Sequence, residues 1–252
     1  MSDATPGTTP SPSPDRDVSR RSLLGAALAG LTLAPGVTLY AGPAPAAAGG
    51  GKRWGLLVDT TRCSSDCDAC VSACGREHGW SDPGQARPDQ APQWVRKVDV
   101  RDPTSGRTAS LPVMCQHCAK PPCVDVCPTG ASFKRADGIV LVDRHRCIGC
   151  RYCMMACPYK ARSFVHEPVT GQRPGSPRGM GTVEACNLCV TRLDAGGLPV
   201  CVEACAATGR SAILFGDLND PDSAISTRIR AVAPTRIRDD LRLDTGVYYQ
   251  GI

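Results

Sequence analysis

With only 4% aromatic residues among 252, the chain cannot build a large aromatic core. Its 16 cysteines, 26 glycines and 22 prolines instead describe a loop-rich body held by cross-links or metal centres. A formal net charge of +5 is too slight to point to nucleic acid or another polyanion.

The chain opens on a polar Pro/Ser/Thr tract, "MSDATPGTTPSPSPDRDV", which cannot bury apolar surface and is expected to be disordered. Ser19, Arg20 and Arg21 then precede a mildly apolar run from Leu23 to Tyr40, followed by small residues with candidate cleavage points after Ala46 and Ala48. Pro35 and three glycines interrupt the run, which argues against a spanning helix. The arrangement resembles a twin-arginine export signal. That implies a signal over residues 1–48, a mature domain from 49 to 252 without a membrane span, and a periplasmic or extracytoplasmic location. Three arginines and three aspartates cancel within the signal, so the mature part also carries +5.

"WGLLVD" reads as a strand entering the first cysteine group, Cys63, Cys67, Cys70 and Cys74. Glu77 to Val113 is a long insertion with a candidate strand from Trp94 to Val100. The second group is Cys115, Cys118, Cys123 and Cys127. Ala131 to Lys134 and Ile139 to Val142 read as two short strands around a turn containing Asp137 and Gly138. Cys147, Cys150, Cys153 and Cys157 form the third group, and a Gly/Pro-rich loop spans Pro168 to Gly181. Cys186, Cys189, Cys201 and Cys205 form the fourth, and "SAILFGD" is a strand leaving it. A short helix to about Val232 should follow, capped by Asp220 or Asp222. The tail "TGVYYQGI" has too little apolar periodicity to fold alone and should lie against the body or a partner. Trp54, Trp80 and Trp94 read as packing residues, and the four histidines add no coherent ligand set. No nucleophile triad, phosphate loop or dinucleotide fingerprint is present.

All 16 cysteines thus fall into four groups of four. A cubane of four irons and four sulfides takes four thiolates, and the third group, CxxCxxCxxxCP, has the spacing of a bacterial cluster loop. Disulfides are a poorer reading, because thiols packed so tightly cannot find separate well-shaped partners. Structural zinc rarely repeats a third Cys two residues on and a fourth before Pro. A free-standing redox enzyme would need an open coordination position, which four filled cubes do not leave. Each cubane core with four thiolates is net −2, so four would turn +5 into about −3. Lys134, Arg135, Arg144, Arg146, Arg151, Lys160 and Arg162 outnumber Asp137 and Asp143 around the middle groups and would tend to raise reduction potential.

From Trp54 to Phe215 the chain resembles the four-cluster ferredoxin-type electron-transfer subunits of membrane-associated respiratory oxidoreductases. "CQHCAKPPCVDVCPTGASFKRADGIVLVD", "RCIGCRYCMMACPYKARSF" and "EACNLCVTRLDAGGLPVCVEAC" carry the resemblance. It implies an α+β, loop-rich fold of two pseudo-symmetric two-cluster ferredoxin-like units. The central unit covers about 112–165, the other is assembled from about 53–80 and 183–218, and 219–252 form a C-terminal helix and tail. In such ferredoxins the Cys before Pro ligates the neighbouring cluster. The expected ligand sets are therefore Cys63, Cys67, Cys70 and Cys205; Cys115, Cys118, Cys123 and Cys157; Cys147, Cys150, Cys153 and Cys127; and Cys186, Cys189, Cys201 and Cys74. Implied partners are a multi-spanning quinone-interacting membrane subunit and a catalytic or cytochrome subunit, with no catalysis in the chain itself. The three residues between Cys63 and Cys67, where most relatives have two, are similar to the exported branch that includes the iron–sulfur subunit of the dissimilatory sulfite-metabolism complex. The beta subunit of a molybdopterin oxidoreductase or of a hydrogenase is the alternative.

Overall fold

The computed structural model describes residues 31–34, 37–39, 51–80 and 90–252, the first two stretches as backbone alone. Ser19, Arg20, Arg21 and the cleavage points after Ala46 and Ala48 lie outside the described residues. Within the apolar run, Leu31–Ala34 (β1) and Val37–Leu39 (β2) pair antiparallel. The chain divides into two compact units after Ala46.

In chain order the larger unit holds β3 (Trp54–Asp59), α1 (Ala69–His78), β4 (Val95–Arg101), β5 (Thr108–Met114), α2 (Pro122–Asp125), β6 (Ser132–Lys134), β7 (Val140–Val142), α3 (Tyr152–Met155), β8 (Ser163–Phe164), β9 (Val183–Glu184), α4 (Val190–Asp194), α5 (Val200–Ala207), β10 (Ile213–Asp217), α6 (Ala224–Val232) and β11 (Val247–Gln250). It is a mixed α/β body of short elements joined by loops. No described helix is long and apolar enough to cross a membrane.

Successive residues Leu56, Leu57 and Val58 are all buried, the pattern of a strand covered on both faces. β3 is accordingly the middle of a three-stranded sheet. β10 pairs with it antiparallel, Ile213 opposite Val58 and Phe215 opposite Leu56, and β11 pairs parallel on its other side. Gly55 is required here, since a Cβ would come within 2.5 Å of the Leu218 side chain and 2.7 Å of the Gly246 carbonyl. The tail therefore finds its place in the sheet. Tyr249 is fully buried, its hydroxyl donating to the Pro112 carbonyl (3.1 Å) and accepting from Gln116 Nε2 (3.2 Å).

The two strands expected around Asp137 and Gly138 are present as the antiparallel pair β6–β7, with Ser132 opposite Val142. The candidate strand at Trp94 to Val100 exists as β4. β5, for which the sequence offers no strand signal, pairs with it antiparallel, so the insertion after Glu77 contains a regular hairpin. One expectation is corrected at α6: neither Asp220 nor Asp222 caps it. Ser223 does, its hydroxyl accepting from the Ser226 N–H (3.2 Å), while Asp220 Oδ1 takes the Asp222 N–H (2.9 Å) in the preceding turn.

Candidate functional site

Cysteines four apart on a helix lie on one face. α1 carries Cys70 and Cys74 in this relation, α5 carries Cys201 and Cys205, and the two helices pack together. Cys63, Cys67, Cys70 and Cys205 line one small cavity with Lys97 and Arg210. Burial pushes the Cys70 thiol up to about 11, with Lys97 opposing and Cys205, Cys63 and Cys67 adding to the rise. At the other end of the helix pair, burial raises Cys74 to about 12 against a hydrogen bond from Trp80, and the Cys189 thiol adds to it. Cys186 and Cys201 are likewise driven up by burial first and by Cys74 next. Opposed pairing of Cys70 with Cys205 and Cys74 with Cys201 is what two helices running in opposite directions give.

In the middle of the chain, burial holds Cys115 and Cys118 near about 12, and both feel the Cys123 thiol. Cys157 acts on Cys118 and on Cys123, so Cys115, Cys118, Cys123 and Cys157 come together. Of the other four, Cys153 is buried near Cys123, Cys127 and Cys147 are half-buried, and Cys150 is the exposed one. Burial works against Cys127 ionising, yet the Ser132 N–H (3.3 Å) and the Thr129 hydroxyl bring its thiol down to about 7.

Three of the loops share an unusual backbone. The residue before the second Cys has positive φ in each: His117 at 44°, Gly149 at 73° and Leu188 at 51°. For a non-glycine residue this costs about 1–2 kcal/mol. Such turns point successive N–H groups into one concavity, the kind that receives anions and iron–sulfur groups. At Gly149 a Cβ would also collide with the Gly181 carbonyl. The first loop, with its extra residue, turns differently: Cys67 N–H bonds the Ser64 carbonyl (3.2 Å), and Lys97 Nζ donates to the same oxygen (2.7 Å).

Donors converge on the sulfurs. The Ala212 N–H reaches Cys205 Sγ at 3.2 Å, Val200 N–H reaches Cys189 at 3.5 Å, Trp80 Nε1 reaches Cys74 at 3.4 Å and Arg162 Nη2 reaches Cys123 at 3.1 Å. His78, given no role by the sequence, lies 3.3 Å from Cys189 Sγ and stacks on Trp94. Its only sequence signal is its place one helical turn beyond Cys74. Trp80 and Trp94 are buried as expected of packing residues, but each also donates a hydrogen bond.

Residues 107–217 match the 4Fe-4S dicluster domain. Over 92% of its length the chain is 39% identical to the Hdr-like menaquinol oxidoreductase iron-sulfur subunit 1 of Archaeoglobus fulgidus, covering 97% of that protein. The chain belongs to the ferredoxin-type iron–sulfur subunits of respiratory oxidoreductases. Among this family it is also 39% identical to a tetrathionate reductase subunit of Salmonella typhimurium, over 70% of this chain and 63% of that one. A sulfite dehydrogenase subunit of Allochromatium vinosum matches at 39% over 69% of the chain and 73% of its own length.

The residues of this ferredoxin-type protein fit cubane clusters. No disulfide joins any of the 16 cysteines, so all are available as ligands. Buried donors stand unpaired beside the cysteines: Ser64 Oγ, His117 Nε2, Tyr159 Oη and Arg162 Nε. His117 Nδ1 accepts from the Val140 N–H (3.1 Å), and burial holds the ring neutral, so its proton sits on Nε2. A cluster, when bound, supplies both the positive iron that lets buried thiols ionise and the sulfides that accept such donors.

Proposed function

We propose that the chain carries four [4Fe-4S] clusters and relays electrons between a catalytic or cytochrome subunit and a quinone-reacting membrane subunit, without turning over a substrate itself. The ligand sets are Cys63, Cys67, Cys70 and Cys205; Cys74, Cys186, Cys189 and Cys201; Cys115, Cys118, Cys123 and Cys157; and Cys127, Cys147, Cys150 and Cys153. Two ferredoxin-like units hold them, one around β6–β7 and one around β3–β10. The observation that carries this reading is the exchange across the α1–α5 pair, where Cys205 joins the first group's cavity. Cys186 feels Cys74, Cys201 and also Cys115 of the other unit, which supports a continuous path in the order just given.

The ends of that path differ in chemistry. Beside the exposed Cys150, Ile148, Tyr152 and Met155 are 68%, 62% and 77% exposed, an apolar collar suited to a permanently bound membrane partner. Arg62, Lys97 and Arg210 surround the opposite end and suit a polar redox subunit. A relative named as part of a menaquinol oxidoreductase supports the quinone. Relatives named as subunits of tetrathionate reductase and sulfite dehydrogenase favour a second reading, the beta subunit of a molybdopterin enzyme. Export by the twin-arginine route, with the chain at the extracytoplasmic face, completes the proposal: clusters built among reduced thiols must cross already folded.

Iron and acid-labile sulfide in anaerobically purified protein test it. About sixteen of each per chain are expected. A colourless protein containing zinc or disulfides would overturn the reading.

A further inference from the structure

Seven basic residues surround the middle cysteine groups, and most are committed away from sulfur. Lys134 bonds the Ala119 carbonyl, Arg146 the Thr129 carbonyl, and Arg135 the carboxylates of Asp137 and Asp194. Arg151 lies over the Phe164 ring, and Arg144 over Trp94. Arg162 is different. It is 6% exposed, its Nη2 donates to Cys123 Sγ at 3.1 Å, and its Nη1 donates to Ser132 Oγ at 2.7 Å. Ser132 in turn gives its backbone N–H to Cys127 Sγ at 3.3 Å. The Cys115 and Cys153 thiols are also close enough to act on the same guanidinium. Cys115 and Cys123 belong to one proposed ligand set, Cys127 and Cys153 to the next.

We propose that Arg162 bridges the two clusters of the central unit, holding a ligand of one directly and a ligand of the other through Ser132, so that a single cation sets both reduction potentials. The inference rests on the ligand sets proposed above. A guanidinium stays charged at every physiological pH. Fixed positive charge and N–H bonds to ligand sulfur favour the reduced cluster, which carries one more negative charge. When an electron passes, one cluster is oxidised as its neighbour is reduced, and no proton need move because Arg162 keeps its own. A cation shared between both keeps their potentials in step, whereas a cation bound to one would make that cluster a trap.

The test is a potentiometric titration of the full chain, followed by electron paramagnetic resonance, for the wild type, Arg162→Gln and Arg162→Lys. The two central clusters are identified by the signals disturbed in Cys118→Ala and in Cys150→Ala, one variant for each proposed ligand set. In R162Q the reduction equilibrium of both central clusters should weaken about tenfold, or about 59 mV for one electron. The terminal pair should not move, and R162K should recover most of the shift. A change in one cluster alone, in none, or equally in all four overturns the bridge. Should R162Q lose iron, Ser132→Ala decides: it leaves Arg162 on Cys123 and the backbone N–H on Cys127 but removes the hydroxyl that joins the two, and a shift in the cluster held by Cys127 with the terminal pair unmoved is expected. Unmoved potentials there overturn the bridge as well. A wild-type chain with fewer than four clusters would overturn the ligand sets instead.

Discussion

Glu184, in β9, is 0% exposed. A carboxylate stripped of water survives only with compensating partners, and three surround it. Arg178 Nε donates at 2.9 and 3.1 Å, Trp94 Nε1 at 3.0 Å, and Arg144 Nε lies 3.9 Å away. Arg178 also reaches the Gly79 carbonyl at the end of α1. A segment that reads as a plain Gly/Pro loop thus sends a buried cation across to the first cysteine group. Glu184→Gln keeps the size of the side chain but leaves the Arg178 charge unmatched, a change that costs about 3–5 kcal/mol when a buried pair is broken. A clearly lower midpoint of urea unfolding is expected, followed anaerobically by tryptophan fluorescence. An unchanged midpoint would show that the pair contributes little. Nothing in the sequence marks this pair, because burial of a charge depends on what packs over it.

At the scale of elements, each cysteine group ends in C-x₃-C, one helical turn, and this spacing is legible without coordinates. Which helix faces which is not. α1 and α5 are separated by more of the chain than the two central helices are, and the β3–β10 pairing joins the strands that flank them. That sheet also explains why the tail matters: β11 covers the other edge of β3 and anchors through Tyr249 beside the second group. Cys205→Ala tests the helix pair directly. It should disturb the cluster held by Cys63, Cys67 and Cys70 while leaving the signal of the cluster held by Cys186, Cys189 and Cys201 intact. If the second signal disappears and the first persists, each group closes on itself and the exchange is wrong.

For the whole molecule, the proposed export and the proposed cluster assembly would constrain one another. On the export route proposed above, sixteen thiols would have to be protected before they entered an oxidising space, and Arg20 and Arg21 precede the apolar run that would carry the signal. Replacing both with Lys should leave cluster-loaded protein in the cytoplasm, measured by fractionation and iron content. Normal export of the double variant would sink the twin-arginine proposal. The surplus of positive charge, +5 for the whole chain, belongs to the same picture. Part of it faces inward: Arg162 bonds a cysteine sulfur, and Lys97 holds the first loop beside another set. Placed so, these two cations would offset the negative charge of the proposed clusters.

Cysteine spacing, the strands around Asp137 and Gly138, and the family resemblance are local features, and the sequence alone determined them because ligand chemistry demands residue type at fixed separation. The extra residue after Cys63 was visible there too, but not the Ser64 turn and the Lys97 bond that accommodate it. Tertiary structure decided the rest: the exchange of Cys205 into the first group's cavity, the parallel placement of β11, the cap at Ser223 and the burial of Glu184 and Arg162. These depend on contacts between residues far apart in the chain, whose energies come from shared burial and desolvation, and a one-dimensional pattern carries no record of which distant surfaces exclude water together.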